Sequence, residues 1–114
     1  MRSQHQRVGI IITESPIDAC SVAVMENRKH QAGYELTHKL ATCGSPHPSL
    51  RERIRELEPR RVWLYYDNDE AGREMDKVTR EMIGSEFAVT SIPYAFGKDP
   101  NDVLRGIRRP EDHI

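Results

Sequence analysis

The chain has 114 residues, about the size of one domain, and 17 Lys and Arg residues against 18 Asp and Glu residues give a net charge of −1. This near-neutral balance argues against binding nucleic acid through bulk electrostatics, and two cysteines are too few for a disulfide framework. The sequence contains neither an apolar run of roughly 20 residues nor a secretory leader, so we expect a cytoplasmic protein without a membrane partner.

The first predicted elements are a strand and a helix. Residues 7–13 form a short, nearly continuous apolar run, which is typical of a strand buried on both faces. Ser15 and Pro16 suit the N-cap and the first position of a helix, which we expect to end near residue 28. Its predicted apolar face is broad and is formed by Ile17, Cys20, Val24 and their neighbours.

The same alternation continues to the end of the chain. Further strands are predicted over residues 34–42, 61–66 and 87–92, and further helices over residues 48–58, 69–83 and 101–107. Strands separated by helices of this length predict βαβ units. We therefore expect an α/β fold in which a four-stranded, mainly parallel sheet is flanked by helices in three layers.

Carboxylates follow three of the four predicted strands, at the sheet edge where ligands bind in folds of this kind. They are Glu14 and Asp18, Asp67 and Asp69, and Asp99. Ionising several neighbouring carboxylates is costly without a counter-charge, and Mg²⁺ prefers oxygen ligands. The sequence thus predicts a Mg²⁺ site suited to phosphate chemistry, with Mn²⁺ able to substitute. Acids at helix starts also have a purely structural alternative as caps.

Four motifs carry a resemblance to a known family. They are Glu14-Ser15-Pro16-Ile17-Asp18, Ala41-Thr42-Cys43-Gly44, Asp67-Asn68-Asp69-Glu70-Ala71-Gly72 and Lys98-Asp99-Pro100-Asn101-Asp102. Their order and spacing over residues 8–107 resemble the Toprim domain of primases, topoisomerases and several nucleases. The last two motifs resemble the primase branch, including primase-like proteins of mobile elements. Ser15 departs from the Gly of many primases, and Asn101 stands where primases often have Asp.

The resemblance implies a Rossmann-like Toprim fold and a Mg²⁺-dependent centre for nucleotidyl transfer in DNA replication. By position, the implied catalytic residues are Glu14, Asp67 and Asp69, and these three form the implied metal set together with Asp18 and Asp99. The candidates for binding nucleotide or phosphate are Lys98, Arg73 and Asn101, and the two cations are alternatively solvated surface residues. DNA or RNA, nucleoside triphosphates and flanking domains are the implied partners.

Two other functions remain open at this point: a small metal-dependent nuclease that uses the same residues, and a non-catalytic binding module of a larger replication or conjugation protein. We expect residues 1–114 to be a single Toprim domain excised from a larger protein, and to be weakly active or inactive by itself.

Two arginine-rich groups are candidates for contacts with a nucleic-acid backbone. The first consists of Arg51, Arg53, Arg55, Arg60 and Arg61, and the second of Arg105, Arg108 and Arg109. Glutamates interleave the first group, which favours ion pairs along a solvated helix over nucleic-acid contacts. Cys43 and His47 are interpreted as turn and packing residues, and Trp63 as a core residue.

Overall fold

The computed structural model describes residues 9–30 and 37–106, without the side chains of residues 29 and 30. Its elements alternate in chain order: β1 (Ile10–Thr13), α1 (Pro16–His30), β2 (His38–Ala41), α2 (Leu50–Leu57), β3 (Val62–Tyr65), α3 (Glu70–Ile83), β4 (Val89–Ser91) and α4 (Pro100–Arg105). None of the helices in these two ranges combines the length and the apolar character needed to cross a bilayer.

The four strands form one parallel sheet in the order β2-β1-β3-β4. Thr13, the last residue of β1, pairs with Ala41 on one side and with Tyr65 on the other. The three strands therefore end level with one another, and the segments that follow them meet at one edge. The predicted α/β architecture with a parallel sheet is confirmed.

Apolar side chains cover both faces of the sheet and make three layers. On one face, Ile12 and Leu64 of the sheet pack in one cluster with Ile54 of α2 and Ile83 of α3. On the other face, Ile11 and Tyr65 pack with Val22 of α1, and α4 lies against α1. The alternation of side chains along β1 explains how neighbouring isoleucines serve opposite layers.

The predicted boundaries differ from the observed ones by a few residues at most where they can be compared. Helix α4 begins at Pro100 and stops at Arg105, because Gly106 takes a left-handed conformation (φ 69°) that caps its carboxyl end. Parts of the predicted first and second strands, together with Arg108 and Arg109, lie outside the described residues.

The prediction for the buried face of α1 is wrong. The structure exposes all three residues named for that face: Ile17 (66%), Cys20 and Val24 (44%). The buried residues are instead Asp18, Ser21 and Val22. Ser21 donates a hydrogen bond to Asn101 Oδ1 (3.2 Å) in α4, so polar contacts between the two helices fix the rotation of α1.

Candidate metal and phosphate site

Glu14 and Asp67 lie side by side at the carboxyl edge of the sheet. Glu14 directly follows β1, and Asp67 comes two residues after the end of the neighbouring β3. Their carboxyl groups are within hydrogen-bonding reach of each other. Parallel pairing of the two central strands thus brings together two acids that are separated by more than fifty positions in the sequence.

The pKa of Asp67 is raised to about 8, chiefly because burial penalises the charged form. The hydrogen bond to Glu14 and the charges of Glu14, Asp18 and Asp99 raise it further. Asp67 Oδ1 is buried and accepts no hydrogen bond from a donor group in the described residues. Asp67 therefore keeps its proton at neutral pH, and one of its oxygens has no donor among the described residues.

Asp18 lies behind this pair at the start of α1. Its Oδ2 accepts a hydrogen bond from Ser15 Oγ (2.9 Å), and its own backbone N–H donates to the same hydroxyl (3.2 Å). Burial raises the pKa of Asp18, the charges of Asp99 and Glu14 add to the shift, and the hydrogen bond from Ser15 opposes it. Ser15 therefore caps the first turn of α1, and Asp18 both holds the Ser15 hydroxyl in place and belongs to the acidic cluster.

Asp69 is held as the N-cap of α3. Its Oδ1 accepts a hydrogen bond from the backbone N–H of Gly72 (2.7 Å), and its Oδ2 lies 3.7 Å from Lys98 Nζ. A Cβ atom on Gly72 would stand 1.8 Å from the carbonyl oxygen of Asp67, so only glycine permits this tight turn. The turn fixes both acids of the Asp67-Asn68-Asp69 segment to the same helix start.

The segment that carries Asp99 is tied to the end of β3. The backbone N–H of Asn68 donates to the carbonyl of Lys98 (2.5 Å), and Asn68 Nδ2 donates to the carbonyl of Gly97 (3.1 Å). Asp99 itself caps α4, because its Oδ1 accepts from the backbone N–H of Asp102 (2.8 Å). Asn68 is a positioning residue that the sequence reading missed, although it lies inside a recognised motif.

Two tyrosines support the cluster from the side of α1 and α4. Tyr65 and Tyr94 have ring centroids 5.1 Å apart, and Tyr94 donates its hydroxyl to the carbonyl of Tyr66 (2.8 Å). Burial raises the pKa of both phenols, and the charges of Asp18 and Asp99 contribute to each shift. Tyr94 lies between β4 and α4, outside the motifs, so no sequence pattern indicated its role.

Arg73 lines a cavity of about 360 Å³ together with Asp67, Asn68 and Tyr94. Asp76 forms part of the same wall, where it is paired with Arg80 (2.8 Å). This volume is at the lower end of the range of small-molecule pockets. Arg73 is thus placed beside the acidic pair, as a cation that contacts phosphate would need to be.

The described residues contain no preformed set of three His, Cys, Asp or Glu side chains arranged to hold a metal ion. Glu14 and Asp67 nevertheless fit Mg²⁺, because this ion often uses one or two carboxylates and takes its remaining oxygens from water and phosphates. Asp67 Oδ1, which has no partner among the described residues, is available as a ligand atom, and a cation would replace the proton of Asp67.

The other predicted site residues are less directly placed to bind a metal ion than Glu14 and Asp67. Asp18 and Asp99 act on Asp67 through charge, whereas Asp69 faces Lys98 and the start of α3. Asn101 is turned toward α1, where its side chain accepts from Ser21. The structure therefore brings the acids together around Asp67.

Comparison with known proteins assigns the chain to a family. The model of the Toprim-like family matches residues 11–104, so the chain belongs to that family. This agrees with the resemblance seen in the motifs. No curated protein matches the sequence.

Two solved structures share the fold. The primase fragment of the bacteriophage T7 primase-helicase protein superposes with a TM-score of 0.62 at 18% identity, over 87% of this chain and 39% of that one. Primase domains bound to an RNA/DNA hybrid and dTTP, in a complex with the T7 lagging-strand DNA polymerase, give a TM-score of 0.55 at 19% identity, over 87% of this chain and 48% of that one. The chain thus spans less than half the length of either match.

Proposed function

We propose that the chain is the Mg²⁺-dependent catalytic domain of a primase-like DNA replication protein and that it serves nucleotidyl transfer on nucleic acid. The observation that carries this proposal is the Glu14–Asp67 pair, in which burial and the neighbouring acids raise the pKa of Asp67 to about 8 and one buried Asp67 oxygen has no donor among the described residues. Membership of the Toprim-like family and the fold shared with a phage primase fragment support it.

In this proposal Glu14 and Asp67 hold the cation, and Asp18 and Asp99 keep the surrounding potential negative. A bound Mg²⁺ neutralises developing charge on a transferring phosphoryl group. Asp69 adds a further negative charge from the start of α3. Its carboxyl group contacts Lys98 at the same carboxyl edge of the sheet.

Two cations of this chain would bind the phosphates of the nucleotide. Arg73 lines the cavity that Asp67 also lines, and Lys98 Nζ lies 3.7 Å from Asp69 Oδ2. Charge-assisted hydrogen bonds from such groups orient phosphate oxygens. Glu14 lies within hydrogen-bonding reach of the Asp67 carboxyl group, so it is also the residue placed to take part in proton transfer.

DNA or RNA, nucleoside triphosphates and flanking domains of a larger protein are the proposed partners, and the cytoplasm is the proposed compartment. Because the chain spans 39% of the T7 primase fragment, surfaces outside it would hold template and primer. The isolated chain is therefore expected to bind nucleotide in a metal-dependent way and to polymerise weakly or not at all.

The test is calorimetric binding of ATP with Mg²⁺ and with EDTA. We expect Mg²⁺ to tighten binding in the native chain and in Glu81→Gln, a control on an exposed site of α3, but not in Asp67→Asn. Equal affinity with and without Mg²⁺ in the native chain would contradict the proposal. Metal-dependent cleavage of labelled DNA by the pure chain would instead favour the nuclease alternative.

A further inference from the structure

A second cavity, of about 350 Å³, opens beside the acidic cluster between the end of β2 and the start of α2. We name it the α2 pocket. Its floor includes Leu40 and Leu50, and its polar wall consists of Thr42, His47, Ser49 and Arg53. None of the described residues that line it is an Asp or a Glu, so its charged lining is basic.

Arg53 supplies the positive charge of this pocket. Two of its neighbours in the arginine-rich helix are occupied elsewhere: Arg55 forms a double hydrogen bond with Glu86, and Arg51 donates to the carbonyl of Met82. The predicted pairing within the helix is therefore wrong for Arg55. No hydrogen bond or ion pair joins the Arg53 side chain to any part of the chain that the structure describes.

His47 supplies a second donor. Its Nδ1 accepts a hydrogen bond from the backbone N–H of Ser49 (3.1 Å) and lies 2.8 Å from the hydroxyl of the same residue. An imidazole whose Nδ1 accepts carries its proton on Nε2, so the ring presents an N–H donor at its other end. The predicted role of His47 in the turn thus involves only Nδ1, and Nε2 is available to bind a ligand.

The α2 pocket is joined directly to the acidic pair. The backbone N–H of Cys43 donates to the carbonyl of Glu14 (2.8 Å), and that of Thr42 donates to the carbonyl of Thr13 (2.9 Å). The loop that forms the pocket therefore starts level with the residue that would hold the cation. Cys43 (φ 54°) and Gly44 (φ 116°) turn the chain there.

We infer that the α2 pocket binds a phosphate group through Arg53 and His47, next to the phosphate held at the acidic cluster. A basic wall without carboxylates suits an anion, and the planar guanidinium matches two phosphate oxygens at once. The inference rests on the proposed function only for the identity of the neighbouring phosphate. The phosphate bound in the α2 pocket belongs either to the next phosphodiester of a nucleic-acid strand or to the terminal phosphates of a nucleotide.

The test follows backbone and side-chain NMR signals of the full chain during two titrations in EDTA, one with a short oligothymidylate and one with ATP. We expect shifts at His47 and at residues 42–53. Arg53→Gln should weaken binding about fivefold and His47→Gln about twofold to threefold, the losses expected for an ion pair and a single hydrogen bond that are both exposed to solvent. Arg53→Lys should fall between the native chain and Arg53→Gln.

The matched control is Arg28→Gln, an exposed arginine near the far end of α1. For the oligothymidylate, Arg53→Gln should also reduce the slope of log affinity against log salt by about 0.7, the loss of one phosphate contact with a single strand, and a purely structural role would not produce that change. An effect confined to ATP supports the pocket and identifies nucleotide phosphates as its ligand.

Equal effects of Arg53→Gln and Arg28→Gln on both probes, or no shifts at residues 42–53, would overturn the inference. If the proposed function were wrong instead, Mn²⁺ and Mg²⁺ would cause no change in the NMR signals of Asp67. In Arg53→Gln, by contrast, the metal response at Asp67 should stay as in the native chain.

Discussion

Asp67 and Glu14 follow the two neighbouring central strands, and their carboxyl groups lie within hydrogen-bonding reach of each other at the carboxyl edge of the sheet. Burial and the charge of Glu14 disfavour the ionised form of Asp67, so its pKa is raised to about 8 and it keeps its proton at pH 7. Any divalent ion that binds Asp67 must therefore displace a proton.

The first prediction concerns the coupling of metal to protons. At pH 7 Asp67 is mostly protonated, because its pKa is about 8, so binding of Mg²⁺ should release about one proton. Apparent affinity should rise with pH and level off above about pH 8. Calorimetry in two buffers with different ionisation enthalpies measures the released protons. Identical heats in both buffers would argue against ionisation of Asp67 on binding.

The second prediction concerns stability without metal. The pKa of Asp67 is higher in the folded chain (about 8) than in the unfolded chain (about 3.9), so the folded state binds more protons between these values. Its contribution to stability is complete below about pH 4 and is lost as pH rises toward 8.

Asp67→Asn removes this dependence because the amide stays neutral. We expect the variant to be more stable than the native chain at pH 8 by about 1–2 kcal/mol, since water reaches part of the carboxyl group, and the two chains to converge near pH 4. Urea denaturation at the two pH values gives the comparison. If the native chain were more stable than Asp67→Asn at pH 8, the predicted direction of the stability difference would be wrong.

The third prediction separates the two roles of Asp69. Its Oδ1 caps α3 through Gly72, and its Oδ2 faces Lys98. Asp69→Asn keeps a side chain that caps a helix well, whereas Asp69→Ala does not, so only the alanine variant should lose about 1 kcal/mol of stability. Both variants remove the charge, so both should weaken metal-dependent ATP binding if the carboxylate acts at the site. Full binding in Asp69→Asn would limit Asp69 to capping.

The fourth prediction tests the close approach of α3 to the end of β3. Alanine normally stabilises a helix relative to glycine, but a Cβ atom on Gly72 would overlap the Asp67 carbonyl. We expect Gly72→Ala to destabilise the fold by about 2–3 kcal/mol, because backbone atoms must move. Ala71→Gly, on the exposed side of the same turn, should cost only about 1 kcal/mol through helix propensity. Denaturant unfolding compares the two, and equal costs would contradict the role of Gly72.

Much of this architecture was predictable from sequence pattern. Apolar runs such as 10–13 mark buried parallel strands, and Pro16 marks the start of α1 through a simple backbone preference. The end of α4 was not predicted, because the expected helix over residues 101–107 ran past Gly106. The acids at the strand ends were identifiable, because parallel strands deliver whatever follows them to one edge.

The rotation of α1 and the properties of the acidic pair depend on tertiary contacts, which no local sequence pattern encodes. The rotation of α1 follows from the contact between Ser21 and Asn101, which are eighty positions apart, and it overrides the apolar stripe that includes Ile17. Likewise, the sequence did not reveal which acid would have a strongly raised pKa. That depends on the adjacency of β1 and β3 and on the burial of Asp67.

The most direct test of the central claim is a titration with Mn²⁺ followed by paramagnetic line broadening of the amide signals. The account predicts selective broadening around Glu14 and Asp67 in the native chain and its loss in Asp67→Asn, with Glu81→Gln behaving as the native chain. Broadening that is absent, or that is unchanged in Asp67→Asn, would contradict a metal site at the Glu14–Asp67 pair.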